Sequence, residues 1–261
     1  MRFEQTSYSE LSLLARCEKA WAYRYLDRVE TGERSVALRR GSFVHDVVAA
    51  WWDEPGTTMS AQVEYWRQMN GETPEDGEWV VDRYEQRYED ARANGGLRII
   101  GHELKFTVPI PGTQVSVLCY MDGLVLDSNG DMWVLERKTM RDWRRLNGID
   151  VDPQVSLYVW AARASGLPVA GVLYDAIRTY RWKGDRPVDE SFQSLWLART
   201  QAQLDETVAD TVAGVQRKAL IASGMRPTRN IGMSCDVCDY RQHCWDSLSF
   251  GAGAGITMLD D

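Results

Sequence analysis

Apolar positions switch from a helical to a strand-like period near residue 100, and this switch orders the expected elements. Over residues 7–30, Leu11, Leu14, Ala15 and Tyr25 recur at helical spacing, with Ser7 or Ser9 as a cap. Val36, Phe43, Val44, Val47, Val48 and Trp51 predict a second helix over 35–52. Two more helices are expected over 60–70 and 78–93, joined by the acidic loop GETPEDG. From residue 103 the period falls to two. ELKFTVPI (103–110), QVSVLCYMDGLVLD (114–127) and MWVLERKT (132–139) predict three antiparallel strands, with Pro111-Gly112 and Asn129-Gly130 at the turns. A helix follows Pro153 over 153–165, 170–182 reads as a strand, and 191–222 reads as one or two long helices. The Gly-rich end, 249–261, reads as a flexible tail. This order predicts an α/β fold with a mainly antiparallel or mixed central sheet flanked by helices.

Composition narrows the class. With 261 residues, 44% apolar and 26% charged, the chain has the balance of a soluble globular domain with a sizeable core. No apolar run reaches the ~18–20 residues of a membrane span, and MRFEQTSYSE has no signal-like apolar core. The expectation is a cytoplasmic protein (host cytoplasm if phage-encoded) with no membrane partner. In that reducing setting the five cysteines are metal ligands or core residues before they are disulfides. A net charge of −8 argues against a nucleic-acid partner until its distribution is considered. Basic residues gather at Arg34/Arg39/Arg40, at Arg137/Lys138/Arg141/Arg144/Arg145 and at Arg178/Arg181/Lys183/Arg186. Most of the eleven tryptophans suit core filling. Trp143, in RDWRRL beside the second basic group, is the candidate for stacking on a base.

Candidate chemistry sits on the strands. VLERKT places Glu136 and Lys138 at the end of an apolar strand, and YMDGL places Asp122 on the strand before the hairpin. If Asn129-Gly130 formed a two-residue turn, Asp122 would face Arg137 and miss Glu136. A shared site therefore requires a one-residue irregularity, either a bulge near Gly123 or a three-residue turn. Two converging carboxylates repel, and a hard divalent cation such as Mg²⁺ or Mn²⁺ relieves that repulsion. A lysine beside them could position a water or stabilise charge on a phosphate. Taken alone, Glu136 and Lys138 are better described as a solvated strand end with an ordinary ion pair. GSFVH places Gly41 and His45 one helical turn apart, and QVSLY does the same for Gln154 and Tyr158.

In this order GSFVH, YMDGL, ERK and QVSLY resemble the successive motifs of RecB-like nucleases of the PD-(D/E)XK superfamily, over roughly residues 6–246. The resemblance implies a restriction-endonuclease-like core in which His45, Asp122, Glu136 and the Arg137 carbonyl bind Mg²⁺ or Mn²⁺. Lys138 would be the catalytic lysine, with Gln154 and Tyr158 positioning substrate or bracing the site. Glu103 matches an acidic position at the start of the sheet.

Cys235, Cys238 and Cys244 give C-x₂-C-x₅-C, and with the distant Cys17 they resemble the ligands of a [4Fe–4S] cluster clasping both chain ends. Zinc with His243 is the competing reading, and Cys119 reads as a core thiol. Glu18 follows Cys17 where these relatives often carry proline. The implied organisation is one nuclease domain over 1–248. It comprises an iron–sulfur lobe (1–34 and 223–248), a helical insertion (53–98) and a catalytic sheet core (99–182). The expected function is a metal-dependent DNA exonuclease acting on single strands or ends in recombination, repair or phage DNA metabolism. A CRISPR adaptation nuclease and a non-catalytic DNA-binding subunit of a helicase–nuclease complex are the alternatives. No sequence feature requires a homo-oligomer.

Overall fold

A computed structural model describes residues 4–32, 35–94, 97–181, 184 and 186–247. Lys183 and the expected tail, 249–261, lie outside the described residues. The chain divides into two compact units, Met1–Tyr8 with Arg34–Val212, and Ser9–Glu33 with Ala213–Asp261.

In chain order the elements are β1 (Gln5–Ser7), α1 (Tyr8–Arg16), α2 (Glu18–Tyr25), α3 (Val36–Asp53), α4 (Met59–Asn70) and α5 (Gly77–Asn94). Then come β2 (Arg98–Pro109), β3 (Ser116–Leu126), β4 (Met132–Met140), α6 (Pro153–Ala164), β5 (Val169–Arg178), β6 (Phe192–Ala198), α7 (Gln201–Ala222) and α8 (Arg241–Asp246).

The first unit is built on a mixed sheet in the order β1-β3-β4-β5-β6, with β2 also paired to β3. β4 and β5 run parallel, joined through α6, because two adjacent parallel strands need a crossover. β1 is parallel to β3, and the other pairs are antiparallel. Helix starts follow their caps. Ser35 Oγ accepts from Leu38 N (3.3 Å), Thr58 Oγ1 from Ala61 N (3.2 Å) and Asp152 Oδ1 from Gln154 N (2.7 Å). α3, α4 and α5 bury Phe43, Val47, Trp51, Met59, Val80 and Tyr84 together with Ile177 and Phe192 of the sheet. α4 and α5, within the expected insertion, thus share this core cluster with α3 and the sheet. Trp51 fills that core at 1% exposure, as expected for most of the tryptophans.

Two expected helices are corrected. Residues 7–30 do not form one helix, because Gln5–Ser7 joins the sheet edge and Cys17 is extended (φ −165°, ψ 110°) between α1 and α2. Within 191–222, Phe192–Ala198 is a strand paired to β5, and the helix begins only at Gln201. Thr200 and Gln203 form a reciprocal capping box: Gln203 N donates to Thr200 Oγ1 (3.3 Å) and Thr200 N to Gln203 Oε1 (2.9 Å). That T-x-x-Q signature marks the boundary.

Gly171 has the closest backbone approach among the described glycines. A Cβ there would lie 2.2 Å from the Leu197 carbonyl oxygen and 2.8 Å from the Trp133 ring. Since backbone cannot yield as a side-chain tip does, Gly171→Ala should cost about 3 kcal/mol. A thermal melt should show the midpoint about 6–12 °C lower; a shift under 2 °C would contradict this packing.

In the second unit, Glu18 is a junction. Its Oε2 accepts from Arg217 Nη2 (3.0 Å), Thr228 N (2.8 Å) and Thr228 Oγ1 (2.7 Å). The Arg217 guanidinium holds the Glu18 carboxyl well below its ordinary range, at about 2. The glutamate that stands at the expected proline position thus ties α2 to the segment after α7. Lys218 Nζ pairs with buried Glu10 (3.2 Å), whose Oε1 also accepts from Trp21 Nε1 (3.1 Å).

Candidate active site

The hairpin between β3 and β4 has a three-residue loop, Ser128–Gly130. Asp127 N donates to Asp131 O and Gly130 N to Asp127 O, both at 3.0 Å, and Gly130 takes the left-handed conformation (φ 86°). Asp127 Oδ1 locks the loop by accepting from Asn129 N (2.8 Å) and Asp131 N (3.0 Å). The resulting register, Gly123 opposite Leu135 and Leu126 opposite Met132, differs by one residue from that of a two-residue turn. It brings Asp122 into line with Glu136.

Pairing between β3 and β4 ends at Gly123 and Leu135. Beyond it the Asp122 side chain takes over, accepting at Oδ2 from Arg137 N (2.5 Å). Gly123 permits a close approach on the other edge, since a Cβ would sit 2.5 Å from the Gly101 carbonyl oxygen of β2. The Arg137 side chain points to the opposite face, where Nε donates to Tyr84 OH (3.2 Å).

α3 delivers His45 to this point, with Nδ1 3.1 Å from Asp122 Oδ1. Glu103 of β2 joins them: one atom each from His45, Glu103 and Asp122 lie within 4.8 Å of one another. Glu103 is in the left-handed region (φ 47°), unusual for a non-glycine strand residue. Burial disfavours both charges of the His45–Asp122 pair, but their mutual attraction prevails. The imidazole is raised above its ordinary pKa and the carboxyl lowered, with Arg137 adding to the latter. Glu103 is raised, first by burial and then by the Asp122 charge.

Glu136 lies beside this group at 2% exposure. Its Oε1 accepts from Lys138 Nζ and from Gln154 Nε2 (3.1 Å). Gln154 Nε2 also donates to Tyr158 OH (2.9 Å), so α6 braces the carboxylate from one face. Burial, followed by the Asp122 charge, raises Glu136 to about 7 against the pull of Lys138. Burial disfavours the Lys138 ammonium, but Glu136 holds its pKa above the ordinary lysine value. Lys138 is therefore a cation at neutral pH.

The structure thus gathers His45, Asp122 and Glu103, and separately ties Glu136 to Lys138, Gln154 and Tyr158. One imidazole and two carboxylates fit a hard divalent cation. Glu136, an expected ligand, is outside that three-residue group and is engaged by Lys138 and Gln154 instead. Trp143 lies under the Arg178 guanidinium, 4.5 Å from its ring centre. Asp152 is not among the residues expected from sequence, although Asp-Pro before an apolar periodic run is a helix-start signal.

The cysteine expectations divide. Cys119 is buried, and burial pushes its thiol up to about 12. Cys17, Cys235, Cys238 and Cys244 are half-buried and free, and they are not clustered. Among the described residues no three of their sulfurs come within 4.8 Å of one another. The spacing does not support the expected [4Fe–4S] cluster, nor does it form a closed zinc site with His243.

The chain matches the PD-(D/E)XK nuclease superfamily over residues 5–245 and belongs to it. It is similar in fold to the crystal structure titled "Putative exonuclease" from Eubacterium rectale, at 16% identity and a TM-score of 0.60, covering 97% of this chain and 91% of that one. More distant are SSO0001 (12% identity, TM-score 0.46, 94% and 87% covered) and LHK-Exo in complex with dAMP (14%, 0.35, 82% and 97%). No curated protein sequence matches. Among the described residues no helix is long and apolar enough to cross a membrane.

Proposed function

We propose that the protein is a metal-dependent deoxyribonuclease, an exonuclease acting on single-stranded DNA or DNA ends in recombination, repair or phage DNA metabolism. The observation that carries this reading is the convergence of His45, Glu103 and Asp122 beside the Glu136–Lys138 pair where β3 and β4 part. A divalent cation held by His45, Glu103 and Asp122 would supply Lewis acidity to a phosphodiester. The Arg137 N–H fixes the Asp122 carboxylate, and His45 holds its other oxygen. Lys138, charged and 36% exposed, offers its ammonium to negative charge developing on the phosphate. Gln154 and Tyr158 hold Glu136 in the orientation that keeps Lys138 in place.

The test is cleavage of end-labelled single-stranded DNA with Mn²⁺ and with EDTA, beside Lys138→Ala. Losing one preorganised cation should lower kcat about 10²–10³-fold with KM little changed. Wild-type protein that binds DNA but cuts none with either Mg²⁺ or Mn²⁺ would point to the non-catalytic subunit.

The iron–sulfur reading rests on the C-x₂-C-x₅-C spacing and on Cys17 and the trio belonging to one unit. Protein purified without oxygen and analysed for iron, sulfide and zinc decides it. About four irons per chain would keep the cluster, and zinc alone or no metal would remove it.

A further inference from the structure

Beyond the candidate metal centre, the first unit holds a cavity of about 540 Å³ walled by Arg40, Arg141, Arg145 and Arg181. Four guanidinium groups in one hollow stand out on a chain whose net charge is −8. The first turn of α3, Val36 and Ala37, forms another wall and turns the positive end of an 18-residue helix towards the hollow. Arg40 is fixed there by donating from Nε to Glu75 O (2.6 Å), with Asp76 4.0 Å from its Nη2. Arg141 lies over the ring of Tyr180, 6.0 Å from its centre, and that ring is 45% exposed. Arg141, Arg145 and Arg181 are exposed and able to meet a ligand.

The hollow adjoins the candidate active site through two elements. Thr139 and Met140, which line it, directly follow Lys138 on β4. Arg40 precedes His45 by five residues on α3, about 8 Å along the helix axis. The two elements are neighbours at Gly41, where a Cβ would be in ordinary contact, 3.4 Å, with Thr139 Oγ1. An anion in the hollow would thus lie next to the reacting phosphate without sharing its ligands.

We infer that this hollow is a nucleotide-phosphate site separate from the metal centre, in which arginines take a phosphate monoester. Arginine forks suit phosphate bidentately. A terminal monoester carries up to two negative charges where an internal diester carries one, which suits four arginines against the two carboxylates of Glu75 and Asp76. The volume suits one nucleotide, and Glu75 and Asp76 in the lining disfavour the further negative charge of a continuing backbone. The monoester would belong either to a strand end or to a free mononucleotide. The strand-end arm rests on the nuclease reading; binding itself does not.

The experiment is fluorescence anisotropy in EDTA, where the proposed metal-dependent cleavage is off. The full chain is titrated with labelled single-stranded oligonucleotides bearing a 5′-phosphate, a 3′-phosphate or only hydroxyl ends, and with a deoxynucleoside monophosphate as competitor. A strand-end site gives at least tenfold tighter binding of one phosphorylated end, and the ratio falls to about one in Arg145→Glu. A free-nucleotide site gives competition by the monophosphate that is lost in Arg145→Glu, without end preference. Arg181→Gln is the second variant should Arg145→Glu melt early. Equal binding of all ends with no competition, or a preference unchanged in both variants, overturns the site. Cleavage of the same oligonucleotides with Mn²⁺ is measured separately. A protein that cuts without these preferences keeps the nuclease and loses the site; one that shows them and never cuts does the reverse.

Discussion

Asp122→Asn is expected to abolish cleavage, by about 10³-fold or more in kcat, with the fold intact. The substitution keeps the side chain's shape and an oxygen to accept from Arg137 N, so the separation of β3 and β4 survives. It removes one of the two carboxylates in the three-residue group that fits a divalent cation. It also takes away the negative partner that raises His45. The metal contribution can be read without activity. At 100 times its Kd, a cation that binds only the folded state stabilises by about 2.7 kcal/mol. Mn²⁺ should therefore raise the wild-type thermal midpoint by several degrees and leave that of Asp122→Asn unmoved. A variant that keeps both a tenth of the activity and the Mn²⁺ shift would remove Asp122 from the site.

Period and turn chemistry make most of the first unit legible. β2, β3, β4 and α3 to α6 stand close to where alternation, Asn-Gly and Pro153 put them. The resemblance of GSFVH, YMDGL and ERK to nuclease motifs picks out His45, Asp122 and Glu136 by residue type and order alone. What period cannot supply is register. Whether Asp122 meets Glu136 turns on one loop residue, fixed by Gly130 in the left-handed region and by the Asp127 carboxylate. β6 escapes the pattern because FQSLWLART is equally apolar at helical and strand spacing, and only pairing with β5 decides between them. The early start of β2 escapes it because the bulge between Ile99 and Gly101 breaks the alternation. Glu103 carries the weakest sequence signal of the set, and its convergence with His45 depends on a backbone conformation that no pattern encodes. The cysteines show the opposite case: a spacing that resembles a cluster, without thiols gathered in space to match it.

Glu136→Gln should separate function from stability at this site. Burial and the Asp122 charge raise the Glu136 carboxyl from about 4.5 to about 7, so the folded chain binds its proton more tightly than the unfolded chain does. The group's contribution is therefore complete below about pH 4.5, declines as pH rises to about 7, and is flat above that. A shift of this size corresponds to about 3 kcal/mol at most, reduced in practice because Lys138 gains from the same charge. Glutamine fills the same space and leaves a carbonyl oxygen for Lys138 or Gln154, without the buried charge. In EDTA, Glu136→Gln should melt above wild type at pH 8, by about 1–2 kcal/mol or a few degrees, and match it at about pH 4. Cleavage at pH 8 should fall at least about 10²-fold, because the partner that holds Lys138 in place is neutralised. Equal midpoints at pH 8, or the same gap at both pH values, would mean that packing and not charge governs this position. Retained cleavage would mean that the ionised carboxylate is dispensable. The charge that makes β4 less stable is, on this argument, the one that keeps Lys138 where the phosphate must bind.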